Sequence, residues 1–511
     1  VLIFVFVFGS LFAFTGVLIL IAGVFVLVFG AVFSFGGLFL FIFSRVFSLV
    51  FDRLFLVAFT GIRLVLYYSN HYLHSLVFGA SLLGRRSRQR GQDHGQGQQQ
   101  GQVLLHLLNL LCIFLPIYSP GEDKTGVFEK EFSPSKPNTS VATAPVQERG
   151  AGMYDVIIVG GGPAGATLAR FIGRDMKVLV LDRRDLGKPY AGGFEKCCGG
   201  LLAPDAQKML ARFGLGLPRS VLAGPQLFTV RTIDMATRQQ RFYPRDYINI
   251  DRERFDRWLV SLLPPEVEVC WGALFRGIER NSQGIVVSFT VNGKERRELC
   301  RLAVGADGAR SLVRRALAPR RQPQVYVAIQ EWFAVPKAYP YYSAVFDPAV
   351  TDFYSWTIPK DDLLVVGSAI PAGADVLGRF QLLKDKLAQW GYVLDEPVRR
   401  HGTHLLRPAG LGQICLGSRD VVLIGEAAGW ISPSSAEGLS YAFRSALALA
   451  RALEKGTQGA AARYRRRCRG LSASILAKLG KSPAMYWPWA RQLAMGSGLF
   501  SLQIEFEEVM S

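Results

Sequence analysis

Methionine is missing from the first 152 residues of this 511-residue chain; all seven methionines lie at Met153 or beyond. Charge is missing from its start as well, since none of the first 44 residues is charged and Arg45 is the first. A secretory signal peptide opens on a basic region, so this start does not fit one. Cysteine is sparse: seven residues, an odd number, run from Cys112 to Cys468. That usage excludes the dense, even disulfide framework of a small secreted domain and indicates a reducing compartment. Cys197 and Cys198 stand side by side in "FEKCCGGLLAP", yet they lack the companion ligand pair of a tetrahedral zinc site. No cluster of acids and histidines suggests another metal, so none is expected.

What is present in quantity is apolar surface and positive charge. Half of the residues are hydrophobic, enough for a large core in two or three domains. The formal charge of +19 suggests acidic partners, whether phosphate-bearing ligands, an anionic membrane surface or nucleic acid, and charge alone does not choose among them. No stretch resembles a nucleic-acid module, and no nucleic-acid partner is expected.

The uncharged run "VLIFVFVFGSLFAFTGVLIL" and its continuation can hold two spans of about 20 residues each, with "FLVAFTGIRLVLYY" as a third candidate. The arginines of "GRRSRQR" would then face the cytoplasm. Residues 1–84 are therefore either an apolar helical membrane anchor or sequence ahead of a true start at Met153, the reading the missing methionines favour. Residues 85–152, Gly/Gln-rich and then Pro/Ser/Thr-rich, read as a linker. The catalytic part is expected in the cytoplasm, tethered to the membrane if the leading segment is real.

From Met153 a complete βαβ unit appears in "MYDVIIVGGGPAGATLARFIGRDMKVLVLDRR". Gly160 permits the tight turn, Gly162 lets the backbone approach a pyrophosphate, and Gly165 allows close helix packing. The helix amino terminus offers unpaired N–H groups to phosphate. Asp182 closes the second strand where ribose hydroxyls would lie; it permits FAD or NAD and disfavours NADP. Ala164 and Arg183, next to these positions, join the expected cofactor-binding set. No second such turn follows, because "FGLGLP" has no strand before it and leads into Pro218.

Two later stretches extend the pattern: "LAVGADGARSLVRRAL", with Asp307 and Gly308, and "DVVLIGEAAGWISPSSAEGLSYAFRSALALARAL", with Glu426 and Gly438. Together with the glycine turn they resemble the three FAD motifs of the para-hydroxybenzoate hydroxylase fold. The resemblance implies an α/β protein with a Rossmann-type FAD-binding domain and an inserted substrate-binding β-sheet. It implies that Glu426, where the family has aspartate, holds the ribityl chain, and that the helix opened by Gly438 faces the flavin ring. Arg252 in "DRERFDRWL" matches the family's arginine near the flavin.

"CCGG" further resembles the cysteine–glycine motif of the geranylgeranyl reductase family, with Cys198 as the matching cysteine. "FYSWTIP" resembles that family's tyrosine-x-tryptophan motif through Tyr354 and Trp356, which would line a tunnel for an apolar chain. The resemblance covers about residues 153–455. It implies hydride transfer from reduced flavin to a double bond of an isoprenoid or similar chain, with Cys198 as a wall or modulator beside the ring, or a proton donor. Electrons would come from NAD(P)H or a reduced ferredoxin-like protein. Two alternatives stay open: a flavin-dependent monooxygenase or halogenase of the same fold, since "YSWTIP" also resembles the halogenase tryptophan motif, and a membrane-associated electron-transfer flavoprotein. Residues 220–420 are expected to hold the substrate sheet, with "GIVVSFTVNG" and "DDLLVVGSAI" among its strands. Residues 456–511, basic and then aromatic, read as a helical end with lipid contact or plain packing.

Overall fold

The computed structural model describes residues 152–188, 197–318, 323–336 and 339–504. The expected leading anchor and the linker through residue 151 lie outside the described residues. No helix among the described residues is long and apolar enough to cross a membrane.

Two sheets carry the fold. The first has seven strands, and its centre is Tyr154–Val159, paired in parallel with Val178–Asp182 on one side and Lys294–Gly305 on the other. Val156–Val159, Val178–Leu181 and the end of the third strand, Leu302–Gly305, are apolar and buried because helices cover the sheet, as parallel sheets require. Glu268–Trp271 extends one edge, and Val421–Leu423 adds in parallel to Lys294–Gly305. The helices Pro163–Ile172 and Leu439–Leu453 pack on it with their small residues in contact. The domain is thus assembled from distant segments, and the second sheet is inserted between them.

That second sheet has eight strands in the order Arg399–Arg407, Gln324–Ala334, Leu363–Pro371, Ser355–Lys360, Tyr342–Phe346, Leu227–Asp234, Gln239–Asn249 and Leu201–Leu202. Its two faces have different companions. Leu364, Val366 and Ile370 pack with Phe380, Leu383 and Leu387 of the helix Val376–Gln389. Val365 and Ala369, from the alternate positions, join Tyr326, Phe346, Phe353 and Trp356 on the opposite, aromatic face.

"DDLLVVGSAI" lies in this sheet as expected, but "GIVVSFTVNG" does not. Its strand, Ile285–Val291, belongs to the first sheet. Asn292 and Gly293, both with positive φ (49° and 77°), make the tight turn that folds it back onto Lys294–Gly305. That partner runs directly into the "GADG" motif, so the hairpin is carried to the cofactor domain by its own second strand.

The last three helices among the described residues are Ala460–Arg467, Arg469–Tyr486 and Pro488–Gly496. Arg491 fixes the last one: its Nε lies 2.7 Å from Asp234 Oδ2, both side chains being buried.

Candidate active site

Gly160 ends the first strand with φ +107°, and a Cβ there would lie 2.5 Å from Ala306 O. Gly165 is tighter still, because a Cβ would meet Gly160 O at 1.9 Å; the helix can seat on the strand only without that side chain. Ala164 packs against Gly425, where an added Cβ would come within 2.8 Å of Ala164 Cβ. Gly162 is different. It caps the helix without a side-chain hydrogen bond, and the only atom near its Cβ direction is Arg184 Nη2 at 3.9 Å. The open side of this turn, with the helix's unpaired N–H groups, is a cradle for an anion that a side chain would fill.

Asp182 is buried and already engaged. Its Oδ2 accepts from Gly161 N at 2.8 Å and its Oδ1 from Arg184 N at 2.8 Å. The Arg184 side chain pairs with Asp182 and, through Nη1 at 2.9 Å, with Asp256. Asp256 also takes Arg252 Nε at 2.8 Å, and Arg252 Nη1 donates to Cys198 Sγ at 3.3 Å. Burial pulls the Arg252 pKa down, but Asp256 and then Cys198 outweigh it, so the guanidinium stays charged. Asp182, Arg184, Asp256, Arg252 and Cys198 thus form one continuous polar chain from the second strand to the cysteine–glycine turn. Sequence reasoning named Arg183, which is exposed, and missed Arg184 and Asp256. The spacing of Arg252 and Asp256, four apart on a helix that Asp251 caps, was the available sign.

The two adjacent cysteines do different things. Cys197 aims its thiol at Ala328 O (3.5 Å) and Gln330 Oε1 (3.4 Å), and burial pushes its pKa up to about 12, so it is a protonated donor. Cys198 Sγ is an acceptor, from Arg252 and from Gly200 N at 3.4 Å. Both cysteines are free thiols. Gly199 and Gly200 are dictated by contact: a Cβ at Gly199 would lie 2.7 Å from Ile358 Cδ1, and one at Gly200, where φ is +59°, 2.3 Å from Ile250 O. Beneath the turn, the fully buried Lys360 donates to Gly200 O (2.9 Å), Ile250 O (2.8 Å) and Asn249 Oδ1. Lys360 is a third residue the sequence reading missed; a charged residue ending a buried strand was the only cue.

Ile358 lies two residues from Trp356 on the same sheet face, so the cysteine–glycine turn packs on the face that carries the aromatic pair. Trp356 lies across Gly367, its cross-strand partner, where a Cβ would sit 2.4 Å from the indole. Its buried Nε1 has no hydrogen-bond partner. The Tyr354 ring is 5.6 Å from that of Trp356, and its hydroxyl donates to Ser435 O at 2.8 Å. Tyr486 approaches Phe353 at 5.2 Å, and Tyr247 donates to Glu437 Oε1 at 2.8 Å. Burial holds the hydroxyls of Tyr342, Tyr354 and Tyr486 well above the usual phenol range, so all three remain protonated.

The remaining motif residues are placed as follows. The Asp307 carboxylate accepts from Ser311 Oγ and from Leu312 N (2.7 Å), capping the helix Leu312–Leu317. Gly308 has φ +76° with nothing near its Cβ direction. Glu426 Oε1 accepts from Leu406 N at 3.1 Å, so the longer carboxylate reaches an edge strand of the second sheet. Gly438 opens Leu439–Leu453 without a side-chain cap, leaving that helix terminus free to face a ligand.

An uncapped glycine cradle, a second open glycine at Gly308 and an uncapped helix terminus at Gly438 all suit FAD. The fold and site define an FAD-dependent oxidoreductase of the para-hydroxybenzoate hydroxylase-like fold. A sequence profile of the FAD binding domain family matches residues 153–372. The chain is 43% identical over 346 residues to protein CbrA of Escherichia coli O6:H1, covering 68% of this chain and 94% of that protein, and it belongs to the CbrA family. Among solved structures, a geranylgeranyl bacteriochlorophyll reductase-like protein from Thermoplasma acidophilum superimposes with a TM-score of 0.57 at 16% identity, over 68% of this chain and 100% of that one. PqsL from Pseudomonas aeruginosa, described as a probable FAD-dependent monooxygenase, gives 0.51 at 20% identity over 68% and 99%. At those identities the likeness is one of fold.

Proposed function

We propose that the chain is a flavin-dependent reductase acting on a double bond of an isoprenoid or other apolar chain. The observation that carries this reading is that the cysteine–glycine turn and the Tyr354–Trp356 pair share one sheet face. Gly160, Gly162 and the helix at Pro163 would hold the FAD pyrophosphate, with Gly308 and Gly438 toward its other end. Bound and reduced, FAD supplies two electrons as hydride.

The chain's own residues do the rest. Trp356, Tyr354 and Phe353 present broad ring faces that orient an apolar chain and exclude water. Cys198, held by Arg252 and Gly200 N, would form a wall beside the reacting carbon. The hydride would add to one alkene carbon and a proton, from water or a buried tyrosine hydroxyl, to its neighbour, turning the double bond into a single one. NAD(P)H or a reduced ferredoxin-like protein would supply the two electrons.

Oxygen chemistry is the second reading, supported by the fold shared with PqsL, which is described as a probable FAD-dependent monooxygenase. Halogen transfer is less well supported. Lys360 directly follows "YSWTIP", but its three protons are all taken by acceptors, which makes it a clamp rather than a free amine. The deciding experiment is to reduce the protein anaerobically and follow flavin absorbance after adding a geranylgeranyl lipid, with air as the parallel acceptor. Rapid lipid-driven reoxidation is the expected result; reoxidation by air alone overturns the reductase reading in favour of oxygen chemistry.

A further inference from the structure

Residues 455–504 contain nine Lys or Arg and not one Asp or Glu. They also carry the densest group of exposed large apolar side chains among the described residues: Trp487 (53% exposed), Trp489 (61%), Leu493 (67%), Leu499 (67%) and Phe500 (78%). Arg465, Arg466, Arg467 and Arg469 are exposed at the far end of the 18-residue helix Arg469–Tyr486, whose exposed residues Ala473, Leu476, Gly480 and Ala484 run along one face between Arg469 and Trp487, with Lys481 exposed beside them. The segment is firmly seated. Arg491 is buried against Asp234, Leu502 N donates to Phe242 O at 2.6 Å, and Tyr486 turns inward to the aromatic face.

We propose that this C-terminal surface docks the protein on a bilayer containing anionic lipid. Tryptophans suit the headgroup boundary, where an apolar ring body and a polar N–H are both accommodated. Leucine and phenylalanine enter the acyl region, and the arginines meet lipid phosphate. The helix Arg469–Tyr486 is no membrane span, so the surface lies on the bilayer rather than crossing it. A second copy is a poor occupant, since self-association would bring the exposed Arg465, Arg466, Arg467 and Arg469 of the two copies toward one another. The proposal does not rest on the reductase reading and survives its failure.

Vesicles with brominated acyl chains test it on the full chain, using phosphatidylcholine alone or mixed equally with phosphatidylglycerol. All eight tryptophans lie at Trp258 or beyond, so quenching cannot report on the apolar leading segment. The expected result is quenching in the anionic vesicles that is mostly lost in Trp487→Phe/Trp489→Phe, while that variant still co-floats. Arg465→Gln/Arg466→Gln/Arg467→Gln should weaken binding at least tenfold at low salt and leave the flavin absorbance unchanged. Vesicle binding without quenching, equal quenching in both lipid mixtures, or a concentration-dependent dimer that Trp489→Ser dissociates would each overturn the proposal.

Discussion

Cys198 and Lys360 are the residues where position, more than type, carries meaning. Cys198→Ser keeps a small acceptor for Arg252 but loses the large, polarisable sulfur. It should lower kcat roughly tenfold, about 1.4 kcal/mol of transition-state stabilisation, while the flavin spectrum stays nearly unchanged; an unaltered kcat would leave Cys198 a packing residue. Burial draws the Lys360 pKa down from 10.5 to about 7. Between those values the unfolded chain binds the proton that the folded one has released, so this group makes stability rise with pH across that window. Denaturant titrations at neutral and at alkaline pH should show that rise, and Lys360→Met should remove it. The same variant leaves Gly200 O, Ile250 O and Asn249 Oδ1 without their donor, at a cost of about 3 kcal/mol near neutral pH.

At the scale of elements, the turn between the first strand and its helix separates two kinds of glycine. Gly165→Ala forces a Cβ into the backbone of Gly160, and about 3 kcal/mol or more of stability should be lost whether or not FAD is present. Gly162→Ala meets open space with an ordinary φ of −72°, so the apoprotein should melt as before. Its methyl group would instead occupy the anion cradle, and the variant should purify with little flavin. Thermal melts beside flavin absorbance distinguish the two. A yellow Gly162→Ala protein would argue against the pyrophosphate site.

Across the whole molecule, the buried Asp234–Arg491 pair joins the inserted sheet to the last helix, 257 residues away in sequence. Arg491→Met leaves Asp234 charged and buried, which should cost about 3–5 kcal/mol. Replacing both, as Asp234→Leu/Arg491→Met, should recover most of that loss, because the desolvation of two charges disappears together with their attraction. Chemical denaturation of the single and double variants is the measurement; a double variant as unstable as the single one would assign the loss to the surrounding packing instead.

The cofactor domain was legible in the linear sequence because its strands, glycine turn and helix are local and contiguous from Tyr154 to Asp182, and their steric demands act between near neighbours. The three-motif order indicated the fold and FAD for the same reason. Other features depended on distant partners. "GIVVSFTVNG" alternates like a strand of either sheet, and only the Asn292–Gly293 turn and its pairing assign it to the first. Arg183 and Arg184 are indistinguishable by composition, but only Arg184 reaches Asp256, 72 residues on. The adjacent cysteines acquire different roles from Gln330 and Arg252, and Lys360 becomes a clamp only where three remote oxygens converge. Sequence by itself determined which local conformations were allowed; tertiary structure decided which charges and acceptors met, because those encounters depend on how separated segments pack.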